Sequence, residues 1–513
     1  MSRHTLKRIL EIIPGLLTWS ALLLPILVSI WLPVVIAIYV IIFDLYWLYR
    51  SLYLSRNIIV AYFRIKKDTK INWMTKIRNY EESHKLWPRG VKFDETLHVI
   101  IMPQYNETYD VISRSLESYI KSNFPVKSKM IFVLTSEIRK PGLKELNQKT
   151  FDDLKKRYGQ KFLQFEQTFH PPDISGELAC KSSNSTWGAK FFKNEILDKK
   201  KIAYNKVVVH NFDTDTQVHP QYFAAIAYQY LMTPNDLPTS YQPIHLYNNN
   251  IWETGAIMRI VATSSTITLM HNSLRPHRFK NFSSRSDCFQ TIVDINYWVV
   301  DAIPEDSRQF FDSMYHYKGR FWVQPIYVPL LMDAVLDDNW LKTLKTQYQQ
   351  LRRWAWGIVD FPYTALKAFD DHEISWRKKL SWSLRLLEGH FSWATAAIHI
   401  AILGWMPILL NPKFGDTVIG FNLPTITRTV LNISIVGMIT VIILSLIMLP
   451  PKPKHYRRRR YLMFILQWGI FPVVSLFFSS IASIDAQTRL MFGKYLEYQV
   501  TAKSVKAKPS PTE

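Results

Sequence analysis

Four stretches of this chain carry no Asp, Glu, Lys or Arg: residues 12–43, 389–412, 429–451 and 461–484. Each is longer than the roughly 18 to 20 apolar residues that cross a bilayer core, so the fold must reserve both of its ends for membrane. As a single straight helix the first stretch would run about 48 Å at ~1.5 Å per residue, well beyond a hydrocarbon core of roughly 30 Å. Two spans joined near Ile30, Trp31, Leu32 and Pro33 fit better. The hairpin is expected over residues 9–54. It is flanked by Arg3, Lys7 and Arg8 on one side and by Arg50, Arg56, Arg64, Lys66 and Lys67 on the other, so both flanks read as cytoplasmic.

With 513 residues the chain leaves a soluble unit of about 250 to 300 residues between its apolar ends. Its 63 Lys and Arg against 41 Asp and Glu give a formal charge of +22, which favours polyanions. Given the spans, lipid headgroups and phosphate-bearing substrates come first, and no nucleic-acid partner is expected. The basic run at residues 452–460 lies between two apolar spans and reads as a positive-inside anchor. Cys180 and Cys288 have no metal-site spacing and read as free thiols in a reducing compartment.

From residue 97 onward, short apolar runs at 97–102, 130–134, 162–165 and 207–210 alternate with helical spacing at 111–122, 142–158 and 185–197. That alternation predicts an α/β layer with a mostly parallel sheet, whose ligands sit at the strands' carboxyl ends. The run Val207, Val208, Val209, His210 ends on Asp213, Thr214 and Asp215. In extended geometry the two acids point to one side, as hard oxygen ligands for Mg²⁺ or Mn²⁺ shared with phosphate. D-x-D is also common in solvated turns, and its weight comes from its company.

Lys181, Ser182, Ser183 and Asn184 precede a helix, whose N-terminal donors suit a diphosphate, although a plain helix cap has the same composition. Glu305 and Asp306 open a further helical segment, where acids are favoured by electrostatics alone. Gln350, Arg353 and Trp354 fall on one helix face. Arg suits a diphosphate and an indole suits a sugar ring, while an amphipathic membrane helix favours the same residues. Trp376, Leu380, Leu384 and Leu387 with interspersed cations read as an interfacial helix.

In this order the elements resemble the membrane-integrated family-two glycosyltransferases, the group of cellulose, chitin and hyaluronan synthases, over nearly the whole chain. The resemblance implies an α/β, GT-A-like nucleotide-sugar-binding domain inserted between N-terminal and C-terminal transmembrane helices. It implies that Asp213 and Asp215 hold Mg²⁺ or Mn²⁺, and that Asp306 is the general base. Tyr105, Glu107, Glu137, Lys181, Asn184, Gln350 and Arg353 would line the donor site, and Trp354 the acceptor site. Glu137 stands in a Thr-Ser-Glu where many relatives carry an aspartate, and Pro304 replaces the usual Thr of T-E-D. The implied partners are a UDP-sugar donor, a glycan or lipid acceptor, the bilayer and an accessory secretion subunit.

The expected division is a hairpin at 9–54, the transferase domain at 90–370, an interfacial helix at 371–390, C-terminal spans at 391–484 and a basic tail at 485–513. The implied location is the cell membrane, multi-pass, with the catalytic domain cytoplasmic. Two other readings stay open: a single-transfer enzyme acting on a lipid or lipid carrier, and a transporter or scaffold that only binds nucleotide. A transporter should place ionisable or helix-breaking groups at mid-bilayer, and the C-terminal spans expected around 391–410, 430–449 and 461–483 carry no Asp, Glu, Lys or Arg, though His399 and Pro472 are present.

Overall fold

The computed structural model describes residues 2–497, so most of the expected basic tail lies outside it. The chain divides into two compact units. One comprises Met1–Phe63, Trp252–Leu274 and Gln347–Glu497, and the other is built from Arg64–Ile251 and Arg275–Thr346.

The first unit is helical. Five helices are long and apolar enough to cross a membrane: Arg3–Trp31, Pro33–Asp68, Trp376–Leu410, Val418–Ile447 and Arg460–Met491. Two helices, Arg3–Trp31 and Pro33–Asp68, occupy the stretch where the hairpin is expected, and Leu32 alone separates them. The interfacial stretch around Trp376 and the span after it form one helix, Trp376–Ile402. The spans meet through polar side chains: Thr18 donates to Gln487 (2.8 Å), Trp393 Nε1 to Ser479 (2.6 Å) and Arg50 pairs with Glu388 (2.6 Å). In an apolar surround such groups need internal partners. The last span is irregular, with a 3₁₀ turn at Gln467–Ile470 and a π-helical segment at Val474–Ser480 on either side of Pro472. Pro removes one backbone donor, which accounts for the break.

The second unit is an eight-stranded sheet: β1 Leu97–Gln104, β2 Met130–Glu137, β3 Gln164–His170, β4 Val207–Asn211, β5 Gln217–Val218, β6 Thr239–Leu246, β7 Arg285–Cys288 and β8 Trp322–Leu331. The order is β3-β2-β1-β4-β7-β6-β8-β5. The four strands foreseen from sequence are parallel neighbours, but β7 runs antiparallel to β4 and β6, and β5 antiparallel to β8. Because β6 and β8 also pair in parallel, every strand but β7 and β5 runs in one direction, and the sheet is mostly parallel with those two reversed.

Alternation along the central strands explains why they read as continuous apolar runs. Ile100, Met102, Phe132, Leu134 and Val208 enter one core, while Val99, Ile101, Ile131, Val133, Val207 and Val209 enter another on the opposite face. With both faces covered, only the strand ends remain for polar chemistry.

Candidate active site

β4 ends at Asn211, and Asp213 and Asp215 follow in a tight turn rather than an extended strand, as the Thr216 N–H to Asp213 O bond (3.0 Å) shows. The expectation that extended geometry aligns the two acids is therefore corrected: the turn sets their directions. Ser115 Oγ donates to Thr214 O (2.7 Å) and Tyr119 OH to Thr216 O (2.8 Å), which fixes the turn against the helix Tyr109–Ile120.

Asp213 is the centre of a polar cluster. Its Oδ1 receives Lys181 Nζ at 2.8 Å and its Oδ2 receives Ser283 Oγ at 2.7 Å, while Lys181 also donates to Ser283 Oγ (2.7 Å). Lys181, expected just before a helix, is the first residue of the helix Lys181–Phe191, which brings its ammonium to Asp213. Ser284 adopts a left-handed φ of 51°, and its hydroxyl accepts the Asp213 N–H (3.1 Å). A non-glycine residue held there is backbone strain tolerated where surrounding bonds over-determine the conformation.

Glu305 and Asp306 begin the helix Glu305–His316. Glu305 Oε1 lies 3.8 Å from Lys181 Nζ. Burial, and then the charge of Asp306, push the Glu305 carboxyl up to about 7, with Lys181 and Arg285 opposing. Burial also works against the Lys181 charge, but Asp213, Asp306 and Glu305 more than offset it and hold the ammonium above its ordinary range.

The Asp306 side chain is 21 % exposed and pairs through Oδ1 with Arg285, whose side chain is fully buried. Arg285 also bonds Gln309 Oε1 and lies 3.5 Å from Asp287. Gln309 in turn accepts from Trp298 Nε1 (2.9 Å) and donates to Asp287 Oδ1 (3.0 Å). Asp306 is thus an acid open to a substrate and held from behind by a buried guanidinium. Sequence reasoning missed Arg285, Asp287, Gln309, Ser283 and Ser284. A signal was present, because Arg285 and Asp287 are charges two residues apart, on one face of a strand.

The other anticipated residues are placed as follows. Asp215 is buried, and its Oδ2 accepts the Asp333 N–H (3.1 Å). Tyr105 and Glu107 occupy the turn after β1, where Glu107 accepts the Tyr105 N–H (2.7 Å), and the Arg139 and Lys140 cations each lie 5.3 Å from the Tyr105 ring. Glu137 ends β2, pairs with Arg139 and lines a small cavity with His170 and Glu177. Asn184 faces inward, donating to Thr135 O (2.7 Å) and Gln104 O (3.2 Å), so its amide ties the helix to β1 and β2. Gln350, Arg353 and Trp354 lie on the helix Trp340–Ala355 and belong to the first unit. There Gln350 accepts from Gln347 (3.0 Å), and the adjacent Arg352 pairs with Asp485 (3.0 Å).

A divalent ion is implied by the resemblance. Two hard carboxylates from one turn, one of them oriented by a backbone N–H, fit Mg²⁺ or Mn²⁺ that takes its remaining ligands from phosphate and water. Among the described residues no group of three or more His, Cys, Asp and Glu gathers, so such an ion would rely on the diphosphate for its shell.

No family model and no characterised protein matches the sequence. Among solved structures, the chain is similar to the mannosyltransferase PcManGT from Pyrobaculum calidifontis in complex with GDP-Man and Mn²⁺. The identity is 12 %, the match covers 77 % of this chain and 99 % of that one, and the TM-score is 0.39. It is also similar to residues 1–349 of S. aureus TarS in complex with UDP, at 10 % identity, 79 % and 94 % coverage and a TM-score of 0.33. Both likenesses are distant, and the functional reading rests on the site itself.

Proposed function

We propose that this chain is an inverting, metal-dependent glycosyltransferase of the membrane-integrated family-two type, acting on a nucleotide-sugar and a growing polysaccharide at the cytoplasmic face of the membrane. The observation that carries the reading is the meeting of Lys181, Asp213 and Glu305 beside an Arg285-held Asp306, at the end of a buried parallel strand. Asp213 and Asp215 would hold the ion, which supplies charge stabilisation to the departing diphosphate.

Lys181, a fixed cation at a helix start, binds the same phosphate and keeps its proton. Asp306 takes the proton of the acceptor hydroxyl on its open oxygen while Arg285 keeps the carboxylate aimed. Displacement on an α-linked donor then gives a β-linked product. Gln350, Arg353 and Trp354 are assigned to the diphosphate and acceptor by resemblance.

The test is purified full-length protein with Mg²⁺ or Mn²⁺ and a panel of UDP- and GDP-sugars, read by release of nucleoside diphosphate. Asp306→Asn should keep donor binding and lose about 10² to 10⁴ in rate. No turnover of any donor by the wild type would favour the transporter or scaffold reading, and full activity in Asp306→Asn would remove the base assignment. Lipid-extractable short product, in place of polymer, would favour single transfer.

A further inference from the structure

Arg259 is a buried cation that no carboxylate among the described residues answers. It sits on the helix Ala256–Ser273, is 6 % exposed, donates through Nε to Gln467 Oε1 (2.7 Å) and through NH1 to Thr254 O, and lies over the Phe464 ring at 4.4 Å. Burial and then the neighbouring Arg460 lower its pKa to about 10, so the group is still charged at neutral pH. Arg460 donates to Trp252 O (2.6 Å), and its guanidinium lies over Tyr456 at 4.1 Å. Trp252 Nε1 donates to Pro450 O (3.2 Å).

These residues gather at residues 448–459, the loop between the spans Val418–Ile447 and Arg460–Met491. The loop also carries Lys452, Lys454, Arg457, Arg458 and Arg459, and no Asp or Glu occurs from Thr417 to Ile484. Glu253, next to Trp252, is exposed. A buried guanidinium without an opposing charge is expensive unless an anion completes it, and a loop joining two adjacent spans lies at headgroup depth.

We propose that Arg259 and Arg460, with the Arg457, Arg458 and Arg459 run around them, form a binding site for the phosphodiester of an anionic phospholipid. Two guanidiniums supply the paired donors that a phosphate takes best, while Trp252 and Tyr456 provide the amphipathic rings that settle at the membrane interface. The run outside them adds long-range attraction to an anionic leaflet. A solvated positive-inside loop would account for the outer arginines but not for a buried Arg259.

The test uses full-length protein in a non-ionic detergent titrated with dioctanoyl phosphatidylglycerol, with bound lipid counted by native mass spectrometry. Dioctanoyl phosphatidylcholine and soluble glycerol 3-phosphate are the comparison arms. The expected result is one saturable phosphatidylglycerol site, at least about tenfold tighter than either comparison, with Arg460→Gln and Arg259→Gln each weakening it about fivefold. Replacing Arg457, Arg458 and Arg459 together by Gln should weaken binding most at low salt. Should Arg259→Gln fail to fold, the half-buried Arg460→Gln decides. Equal binding of the two lipids, or unchanged affinity in a folded Arg460→Gln, overturns the proposal. Glycerol 3-phosphate binding as tightly as the lipid also overturns it, because the ligand would then be a soluble phosphate.

Discussion

Arg285 is the residue on which the aim of Asp306 depends, because its guanidinium touches Asp306, Asp287 and Gln309 from a fully buried position. Arg285→Lys keeps a charge and loses the planar fork, so Asp306 should lose its fixed direction while the donor site stays formed. A misplacement of about 1 Å at a reacting group lowers rate by roughly 10²-fold, and the expected outcome is a kcat loss of that order with KM for the donor nearly unchanged. A raised KM with normal kcat would instead make Arg285 part of donor binding. Glu305 gives a pH test. Its carboxyl lies near 7 in the fold against an ordinary 4.5, facing Lys181, Asp306 and Arg285, so the folded state holds a proton that the unfolded chain releases. Its contribution is present in full below about 4.5 and is lost as pH rises through about 7. Glu305→Gln should therefore gain melting temperature relative to wild type as pH is raised from about 5 to 8, and a constant difference across that range would deny the shift. Of this site, the acids and Lys181 were legible in sequence because each sits at an element boundary in a local motif. Arg285 showed only as a charge spaced two residues from Asp287, and the antiparallel pairing of β7 with β4, which carries Arg285 and Ser283 to Asp306 and Asp213, is encoded in no local pattern.

The helix Lys181–Phe191 carries Lys181 to Asp213, and its approach to the sheet is set by Gly188. A Cβ there would lie 2.1 Å from Thr135 Oγ1 and 3.2 Å from Ile101 Cγ2, and Thr135 is a stiff β-branched residue on β2. Gly188→Ala should push the helix away from β1 and β2, at a cost of about 1 to 3 kcal/mol from overpacking. The shift would move Lys181 and loosen the Asn184 clip, so activity should fall together with the melting temperature. Thr135→Ala removes the nearest atom, and combined with Gly188→Ala it should recover part of both losses; a purely additive double variant would show that the contact is not the cause. The same scale shows what sequence periodicity can reach. β1 to β4 were visible as β-branched and aromatic runs bounded by polar turns. β7 was hidden because Arg285 and Asp287 break the apolar pattern, and β6 and β8 contain Pro243, Pro325 and Pro329, which read as breaks in a strand.

For the whole chain the open question is how many times it crosses the bilayer, and the apolar helices answer it together. The last of them, Arg460–Met491, is helical from end to end although Pro472 and its π segment disturb it, and its 32 residues would reach about 48 Å at ~1.5 Å each. A lipid-exposed re-entrant turn would leave backbone donors and acceptors unpaired, whereas a bent but continuous helix keeps most of them satisfied. The end of this helix nevertheless lies beside the start of the first span, where Arg8 donates to Leu490 O (3.4 Å) and Met491 O (3.1 Å) and Tyr495 OH donates to Glu11 (3.0 Å), so the helix returns to the face it left and four crossings are expected. Four crossings place Ser83, His455 and Glu497 on one face, with the cationic flanks Arg64, Lys66, Lys67 and Arg457 to Arg460. By the positive-inside rule that face is expected to be cytoplasmic. Single cysteines at these three exposed positions, in a background with Cys180 and Cys288 replaced by Ser, provide the measurement. In intact cells a membrane-impermeant maleimide should label none of the three, and all three should label after permeabilisation. If the cysteine at 497 labels in intact cells while the one at 455 does not, the last helix crosses fully, and the count is five.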